Sequence, residues 1–170
     1  KVDCSMQNTS NVELYFQHVL FAIKVVLQNY NNEAVGVRNL VLQLDNVEYQ
    51  KATIPLDGSA ITPTGTTKRL THTYVGNTTI SVPSTNNSAP YSLTNNENHI
   101  MLIPQTGLKG SITLDVLKSN GSYEQKTISL DFSENTFEAG HLYVISVQFL
   151  SDQVVVNTLS QSTWDDDSSE

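Results

Sequence analysis

The chain has 170 residues, with 17 acidic against 9 basic side chains and a formal net charge of −8. So few cations exclude a surface that tracks nucleic-acid phosphates, and they argue equally against docking on an anionic membrane face. Charged residues make up only 15%, below the usual quarter, and Asn, Thr, Ser and Gln fill the deficit with the neutral polar surface common in exported proteins.

The length fits one all-β domain whose core is large enough to need no staples. Cys4 is the single cysteine, so no internal disulfide forms. A bridge-free exported domain leans bacterial rather than animal. Residues 1–15 lack the basic start and apolar run of a secretory signal. Asp3 stands where a lipid-anchor motif wants a small residue, so Cys4 reads as an incidental thiol. The longest apolar stretch, residues 19–27, contains Lys24 and is too short to span a bilayer.

Residues 1–11 are polar and read as a loose N-terminal segment. Residues 12–27, rich in β-branched and aromatic side chains, predict one long strand or two rather than a helix. There Val19, Phe21, Ile23, Val25 and Leu27 alternate with Leu20, Ala22, Lys24 and Val26. Residues 29–33 close it as a turn. Residues 35–44 predict a second main strand, with Leu40, Leu42 and Leu44 on one face and Asn39 and Gln43 on the other. Residues 47–54 form a weaker strand stopped by Pro55.

Residues 56–97 are rich in Thr, Ser, Asn and Pro and predict short edge strands, at 67–75 and 78–82, between long surface loops. The apolar run at 99–103 stops at Pro104, and residues 104–107 read as a turn. Residues 111–116 place Ile112, Leu114 and Val116 inward, with Thr113 and Asp115 outward. Asn120-Gly121 signals a hairpin through a type I′ turn. The return strand, residues 124–132, puts Ile128, Leu130 and Phe132 inward, and residues 133–140 read as a loop.

Residues 137–150, FEAGHLYVISVQFL, are the clearest strand of the chain. Tyr143, Ile145, Val147 and Phe149 share one face at period two, as suits a central strand of a sandwich. Residues 153–159 predict a last strand, antiparallel to it because the connection is short. Residues 161–170 form an acidic tail. Strands spaced about ten residues apart, with turns between them, predict an antiparallel β-sandwich of about seven to ten strands, in a single domain spanning 12–160.

No constellation carries chemistry. His18, His72, His99 and His141 show no metal-ligand spacing, and rim histidines with local hydrogen bonds account for them. No nucleophile elbow and no phosphate loop is present. Asp165, Asp166 and Asp167 read as a solvated tail rather than a calcium site. Catalytic residues, metals and cofactors are therefore expected to be none. Tyr30, Tyr49, Tyr74, Tyr91 and Tyr123 lie near turns and strand ends, where aromatic rings either stack on sugars or stand with the ring inside and the hydroxyl wet.

Four ordered patterns resemble the Mfa-like fimbrillin family of surface proteins of Gram-negative anaerobes (Bacteroidetes-type). These are LYFQHVLFAIKV at 14–25, with Phe16 and His18; MLIPQT at 101–106, with Pro104 and Gln105; FEAGHLY at 137–143, with Phe137, Gly140 and Tyr143; and a closing strand at 154–164 ending in Trp164. The resemblance implies a transthyretin-like sandwich, export to the cell surface, outer membrane or fimbrium, and a non-catalytic pilus subunit or adhesin. Family members commonly have two such domains and a lipoprotein signal. This chain shows one domain's worth and no lipobox. The implied partners are other fimbrial subunits, joined by strand exchange into a groove, or a host surface protein or glycan. Residues 159–170 or 1–13 are candidates for the donated strand by position. No nucleic acid and no direct membrane span are expected. The alternative reading is a carbohydrate-binding module of a surface polysaccharide system.

Overall fold

Along His141–Phe149 every second side chain, from Tyr143 to Phe149, is at most 2% exposed, so the alternation in the sequence is the alternation of the backbone. The computed structural model describes residues 18–47, 52–53, 62–63, 66–85, 89–93, 99–151 and 153–163. Among them run β1 (Phe21–Asn29), β2 (Val35–Val47), β3 (Ala52–Thr53), β4 (Thr62–Pro63), β5 (Lys68–Val75) and β6 (Ile80–Val82). They are followed by β7 (Tyr91–Ser92), β8 (Ile100–Leu102), β9 (Gln105–Leu117), β10 (Tyr123–Phe137), β11 (His141–Phe149) and β12 (Val154–Thr163).

The first sheet has the order β12-β11-β1-β7, with β8 also on β1; the second has β10-β9-β2-β5, with β6 also on β2; β3 and β4 form a small ladder of their own. The inner faces of the two main sheets share one core, from Phe21, Leu27 and Val147 on one side to Leu42, Ile112 and Leu130 on the other. This is the expected antiparallel-dominated β-sandwich. No helix occurs among the described residues.

One pairing departs from the antiparallel rule. β1 and β11 run parallel, with Ile23 opposite Tyr143 and Leu27 opposite Val147. Ala22 and Val26, on the outer face of β1, are buried along with its inner face. Burial on both faces is the habit of parallel strands, and it explains why residues 21–27 are apolar almost throughout.

β2 keeps its apolar side chains inward by two local devices. Val37 is inward at an odd position, Leu40, Leu42 and Leu44 at even ones, and Val47 at an odd one again. The parity changes where the pairing register shifts, and Asn39 (φ 51°) and Asn46 (φ 56°) sit at those shifts. Each adds one residue in a left-handed conformation, which Asn tolerates better than other non-glycine residues.

Several expectations are corrected. Residues 104–107 are not a turn: the chain enters β9 at Gln105, and Gly107 (φ 74°) lies within that strand, with Ser133 opposite it. Residues 133–140 are not a loop throughout, because β10 continues to Phe137 past a register shift between Phe132 and Thr136. The hairpin at Asn120-Gly121 forms, yet only Gly121 (φ 82°) is left-handed. The Gly121 N–H donates to the Lys118 carbonyl (2.9 Å) and the Lys118 N–H to that of Ser122 (2.8 Å). That is a type I turn followed by a bulge glycine, not type I′. Asp115 lies on the outer face, as expected, and is buried there.

Other strands overlap their expected places with shifted ends: β2 runs on to Val47 and β12 to Thr163, so residues 161–163, expected in the tail, pair with β11. β5 and β6 lie within 67–75 and 78–82, and β12 pairs antiparallel with β11. Most of 47–61 lies outside the described residues, as do 1–17 and 164–170.

Candidate interaction surfaces

The sandwich has two unlike ends. At the first, β10 crosses to β11 and passes from one sheet to the other. Phe137 is buried there against Phe21 (ring centroids 5.0 Å) and Tyr143 (4.7 Å). The Tyr143 hydroxyl accepts from the Glu138 N–H (2.9 Å) and donates to the Thr136 carbonyl (3.2 Å), pinning the crossing chain to β11. Gly140 (φ 73°) supplies the left-handed residue of the turn, and its N–H donates to the Leu20 carbonyl (2.9 Å). A Cβ at Gly140 would stand 3.7 Å from the His18 carbonyl, so His18 lies beside the turn. Gln105 pairs with Phe137, and half-buried Pro104 precedes it. The structure thus brings His18, Pro104, Gln105, Phe137, Gly140 and Tyr143 to one end. Phe16 and Trp164 lie outside the described residues.

The other end is open. It carries the β1–β2 and β11–β12 loops and the β9–β10 hairpin. A cleft of about 690 Å³ enters between the sheets there. Its floor is Val35, Val116, Phe149 and Val154; its rim is Asn31, Glu33, Lys118, Ser119, Ser151 and Gln153, with Lys126 on one wall. Asn29, fully buried at the end of β1, holds this end together. Its side-chain amide donates to the Glu33 (2.8 Å) and Val82 (3.0 Å) carbonyls and accepts from the Asn31 N–H (3.0 Å). Its backbone exchanges bonds with Thr85, whose N–H reaches the Asn29 carbonyl at 2.7 Å.

Glu124 and Lys126 point into the space between the sheets, on the same face of β10 as Ile128 and Leu130. Both Lys118 and Lys126 bind Glu124. Their hydrogen bonds hold its carboxyl down at about 2, well below the ordinary carboxylate range. Sequence reading passed over this trio, although the signal was present: charge at two even positions of a strand whose later even positions are apolar.

One side of the sandwich is also open. β10 and β12 end their respective sheets and touch each other, and among the described residues no strand pairs with the outer edge of either. They are 15 and 10 residues long, so they offer two extended rows of backbone donors and acceptors.

The remaining polar features are structural. The buried Asp115 carboxylate accepts from Arg38 Nε (3.2 Å) and Asn39 Nδ2 (2.9 Å), and the Arg38 guanidinium lies 3.5 Å over the Tyr123 ring. Tyr74 is mostly buried, which pushes its hydroxyl up, and Tyr91 packs on the core. With Tyr123 covered by Arg38, Tyr30 is the exposed member of the described tyrosines, and no shared aromatic platform forms among them. Tyr49 lies outside the described residues. No cluster of three or more His, Cys, Asp or Glu converges among the described residues, and no helix there is long and apolar enough to cross a membrane.

A family profile described as fimbrillin-like matches residues 3–164. No curated protein matches the chain. Among solved structures, a fimbrial protein from Bacteroides vulgatus ATCC 8482 superposes with a TM-score of 0.58 at 18% identity, over 88% of this chain and 55% of that one. A proposed cell adhesion protein from Bacteroides uniformis ATCC 8492 superposes with a TM-score of 0.50 at 16% identity, over 91% of this chain and 54% of that one. The chain therefore spans a little over half the length of these relatives, and at such identities the likeness is one of fold.

Proposed function

The chain belongs to the fimbrillin-like family, and on that premise we propose that it is a non-catalytic fimbrial or cell-adhesion subunit that works by assembly. The open side formed by β10 and β12 carries this reading. Edges of that length, unpaired among the described residues, invite a further strand, whose main-chain bonds supply affinity while alternate side chains supply selectivity. The aromatic corner at one end keeps the sheets in register, so the edges are presented on a rigid body. The partners we propose are other fimbrial subunits. Export, display on the outer surface and a transthyretin-like arrangement are in keeping with the family and with the Asn/Thr/Ser-rich, acidic composition. We take residues 12–160 as the folding unit, which limited proteolysis tests.

Hydrogen exchange on assembled against monomeric protein tests the mechanism. Amides of β10 or β12 gain protection on assembly, while those of β5, at the opposite edge of its sheet, do not. A protein that stays monomeric with its purified fimbrial partners, or that gains protection only at β5, refutes it. Protease shaving of intact cells tests the surface location; a chain that survives shaving but is digested after lysis is not displayed.

A further inference from the structure

In a chain where acids outnumber bases 17 to 9, the open end of the sandwich gathers two lysines, Lys118 and Lys126, on the one carboxylate of Glu124, with the exposed Glu33 on the rim as a second acid. Glu124 and Lys126 stand where the strand pattern otherwise demands apolar side chains, Lys118 opens the adjoining hairpin turn, and beside them is a cleft of about 690 Å³. That volume falls in the range of small-ligand sites, and an apolar floor with a few polar groups around it is their usual make-up. On the rim, the hydroxyls of Ser119 and Ser151 and the amide of Gln153 make no side-chain hydrogen bond to another described residue.

We propose that this cleft binds one carboxylate-bearing sugar unit of an acidic glycan, a hexuronate or a sialic-acid-type residue. Its carboxylate takes the place of Glu124 between the two ammonium groups. Its hydroxyls meet Ser119, Ser151 and Gln153, and its C–H face lies on Val116 and Val154. Glu124 is the internal stand-in for that carboxylate: the depression of its proton affinity shows how well the two lysines accommodate a negative oxygen pair. A neutral sugar forgoes both charge-assisted bonds. The site uses side chains at the first residues of β10 and β12, whereas strand addition uses the backbone along the rest of those edges, so its failure leaves the assembly reading standing.

The test is a chemical-shift titration of the isotope-labelled chain with glucuronate, N-acetylneuraminate, glucose and N-acetylglycine. One or both acidic sugars give saturable shifts confined to 118–126 and 151–154, and glucose binds at least about tenfold more weakly. Lys118→Gln and Lys126→Gln each weaken the acidic sugar about fivefold, as loss of one exposed charge pair does. Glu124→Gln tightens it, because the competing carboxylate is gone, an effect that a purely structural ion pair would not produce. Lys109→Gln, whose partner is Asp131, changes nothing. If a lysine variant fails to fold, the salt dependence of wild-type binding replaces it, with affinity falling as salt rises. Equal binding of glucose, equal binding of N-acetylglycine (a general carboxylate site), absence of saturable shifts, or weaker binding by Glu124→Gln overturns the proposal.

Discussion

Asn29 is the position where a single side chain carries the most consequence. Replacing it with Ala removes the amide that donates to the Glu33 and Val82 carbonyls and accepts from Asn31. Val82 is fully buried, so its carbonyl loses the amide donor where water does not readily replace it, at about 1–3 kcal/mol. Glu33 is exposed and Asn31 half-buried, so water recovers part of their bonds, and their net loss adds about 1 kcal/mol. The sum is about 3 kcal/mol, or roughly 6–12 °C in Tm for a chain of this length. Asn29→Asp is the sharper probe. It turns the donating nitrogen into an oxygen facing two carbonyls, which raises the folded-state pKa of the new carboxyl above its unfolded value. Its protonated form is the tolerated one, so the deficit against wild type is largest at neutral pH and narrows as pH falls toward about 4. Urea melts of the three proteins at several pH values read both effects. A loss below about 0.5 kcal/mol for Asn29→Ala, within the range of an ordinary surface change, or a pH-independent deficit for Asn29→Asp, refutes the reasoning.

Tyr143→Phe strips the hydroxyl that ties Glu138 and Thr136 to β11 and costs about 1–2 kcal/mol in a urea melt; an unchanged midpoint would remove the corner from the account. Gly110→Ala places a Cβ 2.0 Å from the Gln43 carbonyl oxygen, so β9 and β2 must part, at about 2–4 kcal/mol by the same melt. Its control, Gly76→Ala, meets nothing within 4 Å and stays within about 0.5 kcal/mol of wild type. His72 has a buried Nε2 with no hydrogen-bond partner, and burial lowers its pKa. The fold therefore favours neutral imidazole: stability is full above the ordinary histidine pKa and is lost as pH falls below it. His72→Leu raises the midpoint by about 1 kcal/mol and flattens its slope between about pH 7 and 5; an unaltered slope would show that other groups set it.

Periodicity reports which way a side chain points and nothing about its neighbours in the sheet. The inward sets of β1, β9, β10 and β11 were therefore legible from the letters, and the parallel pairing of β1 with β11 was not. Its trace was the apolar outer face of residues 21–27, which reads as surplus hydrophobicity until a parallel neighbour explains it. Bulges hide for a related reason. Asn39 and Asn46 look like ordinary polar outward residues, and only the jump from Val37 to Leu40 and from Leu44 to Val47 betrays the inserted residue. Asp115 was placed on the outer face by the same counting, which says nothing of what covers it there. It is buried because Arg38 and Asn39, carried round by the bulge, supply its partners. The motif residues of the corner were named from resemblance; that they meet around Tyr143 follows from the crossing between sheets. The cleft was missed because only Ile128, Leu130 and Phe132 were assigned to the inner face of 124–132, and the period was not carried back to Glu124 and Lys126 on the same face.

The two open features differ in kind, and that difference bears on how the protein is used. Pairing along β10 or β12 is done by the backbone, so it tolerates most side-chain changes and depends on the sheets staying in register. Binding in the cleft is done by Lys118, Lys126 and the rim hydroxyls, so it is sensitive to single substitutions and to salt. The aromatic corner secures the first and the Asn29 network secures the second, at opposite ends of the same strands. Of β10 and β12 the cleft takes only side chains near their start, Lys126 and Val154, and leaves the rest of both edges for pairing. A chain of such molecules joined through their edges would leave every cleft facing solvent, and weak single-site binding repeated along the assembly would add up to firm attachment. Assembly and recognition are then separable by mutation: side-chain changes at Lys118 and Lys126 alter the ligand and leave the backbone of β10 free to pair, while changes that disturb the Tyr143 corner impair both.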